Sequence, residues 1–408
     1  MITAARNWGL DNKSRYRKVR EQRPQIDGGY LFGKGMEFER WIDYTNGSAR
    51  SNGYNTGDLI ENPVYVIESI IRDWVLCERS LRIDVRHGDT VCELDGAVNG
   101  RGVLSSTDDY YNGAIWYNHT TGVKSYVTDF NGSQKYIYIN DADASMAAGD
   151  WVTITNIQGD NLIDTTSFDL LGNTTNGLRN GYKLARSINE VENAKAIIDG
   201  ICADFLIFLF KSGTKYKVTT LEKKATADGT FTNPLKSNGV AQVSGWLSDL
   251  GSYYTEFIFR HNYSYPKGDY NYKMTCSPKG STSGLGSTYQ TLCKTVADQY
   301  KQGTRVLDRN FPYVYNGIDS LPSTTTTMHN IAKLLITFYT RLRFFVDWHG
   351  DFKNHMVYEI GDQVKINYAG AIPTGLNNSA FFLITDKQIE SVNGIPTVRF
   401  TLMETFTV

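Results

Sequence analysis

The sequence lacks any apolar run approaching the roughly 18 residues a membrane-spanning helix needs. Its longest, Phe205–Phe210, has the length of a strand, so no stable membrane anchor is expected. The first twenty-five residues are basic and polar, without the apolar core of a secretory signal. The cysteines are Cys77, Cys92, Cys202, Cys276 and Cys293, an odd set without regular spacing and a poor disulfide framework. Cys202 and Cys293 fall in apolar helical patterns, where a thiol serves as a small core side chain. Folding in a reducing cytoplasm fits this usage. The formal net charge is −1, so general affinity for nucleic-acid phosphates is not expected.

Motifs that carry chemistry are also missing. There is no phosphate-cradling Gly-rich loop ending in Lys-Ser/Thr, no dinucleotide Gly pattern, no His-Glu-x-x-His, no Cys-x-x-Cys and no Gly-x-Ser-x-Gly elbow. Of the histidines, only His349 and His355 are close in sequence, and they read as ordinary loop residues. Asn140, Asp141, Asp143 and Ser145 begin like a calcium loop. Met146 then stands where the sharp-turn Gly belongs and Val152 where the bidentate Glu belongs. Asp108-Asp109 and Glu256 could serve a glycosidase, but that chemistry needs two carboxylates facing across a cleft, and no such pair is marked. No catalytic, metal or cofactor-binding residues are assigned, and the chain is expected not to be an enzyme.

What is present is aromatic and β-prone. The 408 residues include 26 Tyr, 19 Phe and 7 Trp, enough chain for two or three cores at about 150 residues each. Residues 1–36 read as an extended arm with a basic stretch through Arg15, Arg17 and Lys18. Asn62 as cap, Pro63 at the first helical position, and Val64, Ile67, Ile71, Trp74 and Val75 on one face predict a helix over 63–78. Frequent turn signals and short β-prone runs then predict a small inserted β domain over 100–161. Helices are predicted over 189–204, where Asn189 and Glu192 make a capping-box-like start, over 287–302 and over 326–342. An apolar strand is read at Phe205–Phe210 and a hairpin beyond it. The C-terminus reads as β, with a strand pair over Tyr358–Tyr368 and a hairpin, Ala380–Ile389 with Pro396–Val408, around Asn393-Gly394. Gly149-Asp150-Trp151-Val152-Thr153-Ile154 resembles Gly361-Asp362-Gln363-Val364-Lys365-Ile366, as if one corner were used twice.

The segment Asp58–Asp73, in which Asn62-Pro63 opens an amphipathic helix, resembles a motif of bacteriophage tail hub and tail-tip proteins. Ile163–Asp169, Ala185–Asn189, Lys215–Leu221, Tyr358–Val364 and Phe381–Thr385 follow in the family's order, covering about residues 37–98 and 162–408. The resemblance implies an α+β, mainly β fold: tube-type β-barrel domains with packed amphipathic helices and an inserted small all-β domain. It divides the chain into the arm, a discontinuous hub domain (37–99 and 162–222), the insert (100–161) and a second α+β hub domain (223–408). It also implies a ring of this chain, commonly threefold, joined to the tail tube or distal tail protein, the tape measure and fibre or spike proteins. The expected place is the virion tail, assembled in the host cytoplasm, with no specific grip on any DNA passing the lumen. Asn62, Pro63, Ile67, Ile71, Gly361 and Asp362 are the expected structural motif. Arg15, Arg17, Lys18, Tyr110, Tyr111, Trp116 and Tyr117 are the expected contact surface. An alternative is a tail adhesin gripping a surface glycan through the aromatics of the 100–161 insert.

Overall fold

Asn62-Pro63 starts a helix for local reasons. Asn62 Oδ1 accepts from the Val64 amide at 2.9 Å, and Pro63 fills a position whose amide would have no helical partner. The helix, α1 (Pro63–Ile70), is buried on every face. It passes into a π-helical turn at Ile71–Val75, where the periodicity predicted one continuous helix to residue 78. The wider turn carries Arg72, buried and paired: its Nε donates to Glu68 at 2.9 Å and its Nη1 to Asn156 at 2.6 Å. A buried guanidinium is tolerable only when so compensated. The computed structural model describes residues 30–32, 62–95, 104–173, 175–184, 186–188, 193–237, 239–264, 267–282, 285–314, 327–368, 370, 372–392 and 394–407. Within the expected arm, Tyr30–Phe32 pairs antiparallel with Arg186–Ile188. Arg15, Arg17 and Lys18 lie outside the described residues, as do Asn189 and Glu192.

After the π turn the chain enters a six-stranded closed barrel. Its strands are β1 (Cys77–Arg86), β2 (Val91–Asp95), β3 (Ile115–Asn118), β4 (Lys124–Asn131), β5 (Tyr136–Ile139) and β6 (Trp151–Thr155). The order β1-β2-β5-β4-β3-β6 is antiparallel throughout, and β1 bonds both β2 and β6, so no edge is left. The lumen is filled by Leu81, Ile83, Trp116, Phe130, Ile137 and Ile154 among others. The boundary expected at residue 100 therefore falls inside this unit, because residues 77–95 supply two of its strands. Composition marks where turn-rich sequence begins. The pairing of Arg82 with Trp151, far apart in sequence, decides where the barrel begins.

The chain then returns to the core around α1 with α2 (Thr165–Gly172), α3 (Ala194–Phe205) and the hairpin β7 (Phe208–Ser212)–β8 (Lys215–Thr219). Asn193 caps α3, accepting from the Lys195 amide at 2.8 Å. Phe205 is helical, and Leu206 stops the helix in a left-handed conformation, so the strand expected from 205 begins at Phe208.

Apart from a short ladder of Lys236–Ser237 with Val240–Ala241, the remaining strands divide between two sheets. These elements are β9 (Gly229–Phe231), β10 (Val243–Leu247), β11 (Glu256–Ser264), β12 (Asp269–Ser277), β13 (Gly280–Ser281), α4 (Gly286–Tyr300), β14 (Val306–Phe311), α5 (Thr327–Tyr339), β15 (Phe344–Asp351), β16 (Gln363–Ile366), β17 (Phe381–Val392) and β18 (Ile395–Glu404). The sheet β13-β12-β11-β14, with α4 and α5, shares one apolar core with α1, α2 and α3. Residues 256–339 thus belong with the first core, and 223–408 is not one packing unit. The other sheet runs β9-β16-β17-β18-β15-β10 around its own core. It curls strongly: Phe231 of β9 lies 5.4 Å from both Trp348 of β15 and Phe400 of β18, ring centre to ring centre. The Leu235 amide donates to the His349 carbonyl at 2.7 Å, closing the curl part way. Only Gln363–Ile366 of the strand pair expected at 358–368 is a strand; residues before it form the turn.

The chain is therefore mainly β, with one closed barrel, one half-closed barrel and amphipathic helices packed on the sheet between them.

Candidate functional site

The expected structural motif converges on one buried polar chain. Asn62 caps α1 and its Nδ2 also donates to the carbonyls of Gly172, at 3.2 Å, and Arg179, at 2.9 Å. Arg179 is buried, donates Nε to the Phe205 carbonyl at 3.0 Å and Nη2 to Thr220 Oγ1 at 2.6 Å, and ion-pairs with Glu222. Gln363 continues the chain, donating Nε2 to the Glu222 carbonyl at 2.7 Å and accepting from the Lys224 amide at 2.9 Å. Thr219 Oγ1 donates to the Gly361 carbonyl at 3.2 Å. The first helix and the half-closed barrel are thus joined by hydrogen bonds through the segment Thr219–Lys224, at and beyond the end of β8. Ile67 and Ile71 lie wholly inside the central core.

Gly361 and Asp362 make a corner. Gly361 has φ +91°, and a Cβ there would stand 2.2 Å from Phe210 Cζ, so both backbone and space demand glycine. The Asp362 carboxylate accepts from the Glu359 amide at 2.8 Å, and burial pushes its carboxyl above the usual range. The closed barrel repeats this corner in detail. Gly149 donates to the Ile83 carbonyl at 2.7 Å, as Gly361 does to Ile384 at 2.9 Å. Ile83 donates back to Asp150 at 3.0 Å, as Ile384 does to Asp362 at 2.9 Å. Asp150 accepts from the Ala147 amide at 2.9 Å, the counterpart of Asp362 with Glu359. In each barrel the neighbouring strand shifts register just beyond that isoleucine. The sequence similarity at these two places is a similarity of structure.

The expected aromatic contact surface is corrected. Tyr111 and Trp116 are fully buried in the closed barrel, Tyr117 is nearly so, and Tyr110 packs edge-on against Tyr111 at 5.0 Å. An antiparallel barrel of this size needs bulky side chains to fill its lumen, and Tyr111 and Trp116 supply them, while Tyr117, on the other face of its strand, packs edge-on against His119 at 4.6 Å. Other residues considered for chemistry serve turns. Asp108 accepts from the Gly132 amide at 2.8 Å. Asp143 is buried, accepting from Asn118 at 2.9 Å and Thr121 at 2.7 Å. His355 packs its ring against Phe231 at 4.9 Å. Among the described residues, no three His, Cys, Asp or Glu side chains group as a metal site.

The sequence reading missed the exposed apolar surface of the half-closed barrel. Among the described residues, strand β10 bonds only β15 and forms the end of its sheet. Residues Ser244–Leu247 are exposed on both faces, with Trp246 at 42%, Leu247 at 57% and nearby Val240 at 65%. Trp246 stacks on Phe345 at 5.7 Å and 13°, which fixes its ring flat on the outside of the sheet. A strand with both faces bare and apolar side chains outward is one that another polypeptide can cover. No signal in Val243-Ser-Gly-Trp-Leu247 distinguishes such a strand from a buried one. A second apolar depression, about 590 Å³, lies between α3 and the β7–β8 hairpin, lined by Ile71, Val75, Ile198, Cys202, Phe208 and Tyr216.

No protein-family model and no curated protein matches the chain. Solved structures do. A tail protein from Neisseria meningitidis is similar over 81% of this chain and 97% of its own, at 9% identity and a TM-score of 0.35. A prophage tail protein from Listeria monocytogenes is similar over 79% and 87%, at 10% identity and a TM-score of 0.30. A chain of the virion of a gene transfer agent particle is similar over 93% and 84%, at 7% identity and a TM-score of 0.35.

Proposed function

We propose that this chain is a structural, non-catalytic subunit of a phage-type tail that assembles with copies of itself into a hub ring near the baseplate or tail tip. The observation that carries the reading is β10, an edge strand left bare on both faces with Trp246 and Leu247 outward. An isolated protein gains nothing from such a strand, whereas an assembly buries it. The ordered resemblance from Asp58–Asp73 through Phe381–Thr385 supports the tail assignment. It suggests a threefold ring in the virion tail, with the tail tube or distal tail protein, the tape measure and fibre or spike proteins as neighbours. The glycan-gripping alternative loses its motive, since Tyr111, Trp116 and Tyr117 are core.

The test is the native mass of the purified full chain, by light scattering with negative-stain imaging, for the wild type and for Trp246→Asp/Leu247→Asp. A closed ring of about three copies is expected for the wild type, with a folded monomer for the variant. A wild type that stays monomeric at every concentration overturns self-assembly. A ring that survives both substitutions removes β10 as its interface.

A further inference from the structure

Within the central core, two cysteines distant in sequence meet. Cys276, on β12, and Cys293, on α4, bring their sulfurs to 3.6 Å, and both are buried. Cys276 faces inward from a strand bonded on both sides, to Phe257 of β11 and to Ser281 of β13. Cys293 lies on the buried stripe of α4 with Val296. The sulfur separation is longer than the roughly 2 Å of a disulfide bond, and both groups are free thiols here. Closing that gap takes a small movement of one helix toward one sheet. The remaining cysteines lie elsewhere: Cys92 fills the closed barrel, Cys202 lines the apolar depression, and Cys77 opens β1.

We infer that Cys276 and Cys293 are a disulfide site, reduced when the chain folds and oxidised to a bond that staples α4 to the sheet once the protein meets a small diffusible peroxide. Either sulfur can donate its S–H to the other; with Cys293 as the donor the Cys276 thiol is lowered, and Cys276 is then the sulfur that ionises and reacts first. In the first step the Cys276 sulfur attacks hydrogen peroxide. Its sulfur is oxidised to a sulfenic acid, the O–O bond breaks, and one water leaves. In the second, Cys293 sulfur attacks the Cys276 sulfur, the S–S bond forms, and the sulfenic oxygen departs as a second water with the thiol proton. Two thiols are oxidised, one peroxide is reduced, and two waters are the products. Burial favours a peroxide over a bulky disulfide as oxidant. It also places the second thiol against the sulfenic acid before further oxidation.

The bond would close a loop of about 17 residues, a length for which cross-linking of the unfolded chain is strongly stabilising. The inference does not depend on the tail reading. The test uses the purified full chain, treated with hydrogen peroxide, then denatured and alkylated, with intact-mass and peptide analysis. The expected product loses two hydrogens, leaves three alkylatable thiols, and yields a single linked peptide pair containing Cys276 and Cys293. Its melting temperature rises by on the order of 5 °C and falls back on reduction. The shift is absent in Cys276→Ala and in Cys293→Ala. Five alkylatable thiols after treatment, sulfinic acid at Cys276 in place of the link, or a link through Cys77, Cys92 or Cys202 each overturns the proposal.

Discussion

The two barrels share a corner and differ in closure. Both turn on Gly-Asp with the glycine near φ +90°, and both anchor that turn to an isoleucine beside a register shift in the next strand. Beyond the corner they part. The closed barrel pairs its first strand on both sides and fills its lumen with Tyr111, Trp116 and Phe130. The half-closed barrel ends on β10, which among the described residues has a neighbour on one side only and leaves Trp246 and Leu247 outside. Tryptophan has both duties in both units: Trp116 and Trp348 are core, while Trp151 and Trp246 are exposed. Position in the sheet decides which, and composition does not.

The largest expected effect tests that contrast. Trp116→Ala empties the middle of the closed lumen and should cost about 3–5 kcal/mol, read as a lowered urea midpoint. Trp246→Ala removes a ring that only lies on Phe345, and should change the stability of the isolated chain by no more than about 0.5 kcal/mol. Equal losses at the two positions would mean that Trp246 is core in solution, and the contrast between the barrels would fail.

The shared corner gives the next test. Gly149 and Gly361 have nearly the same positive φ, but a Cβ at Gly149 meets nothing within 4 Å while one at Gly361 runs into Phe210. Gly149→Ala should cost only the left-handed penalty, about 1–2 kcal/mol. Gly361→Ala adds overpacking and should cost about 3 kcal/mol. Matched urea titrations separate them. Identical costs would show that the Phe210 contact yields freely and that the two corners are energetically one.

Much of the scaffold was legible because its signals are local. Asn62-Pro63 announces a helix start through a side-chain cap and a missing amide, and both act within three residues. The C-terminal hairpin and the Gly-Asp corner are likewise written in adjacent residues. The domain boundaries were not legible, since they depend on distant partners: Arg82 with Trp151, or Phe257 with Leu307 and Cys276. The aromatic surface was misread for the same reason. Tyr110, Tyr111 and Trp116 look alike on a sugar-binding face and in a lumen until the strands are paired. Trp246 carries no mark at all, because exposure of a short edge strand is a property of where its sheet ends.

The residue that follows each corner sharpens the comparison at the smallest scale. After Gly149-Asp150 stands Trp151, partly exposed, with the Arg82 guanidinium 4.1 Å over its ring. After Gly361-Asp362 stands Gln363, fully buried, bonded to the Glu222 carbonyl and the Lys224 amide. One position thus faces solvent in the closed barrel and holds the half-closed barrel to the central core in the other. Trp151→Ala should cost about 0.5–1 kcal/mol, the worth of an exposed cation–π contact. Gln363→Ala leaves the Glu222 carbonyl and the Lys224 amide without that partner, and should cost about 2 kcal/mol. Hydrogen exchange distinguishes the two further. Loss of Gln363 should speed exchange at β16 and at the segment 220–224 together, because the amide side chain is what couples them, while loss of Trp151 should leave both unchanged. Faster exchange confined to β16 would mean that the half-closed barrel is held to the core by packing alone, and that the polar chain from Asn62 to Gly361 stops at Glu222.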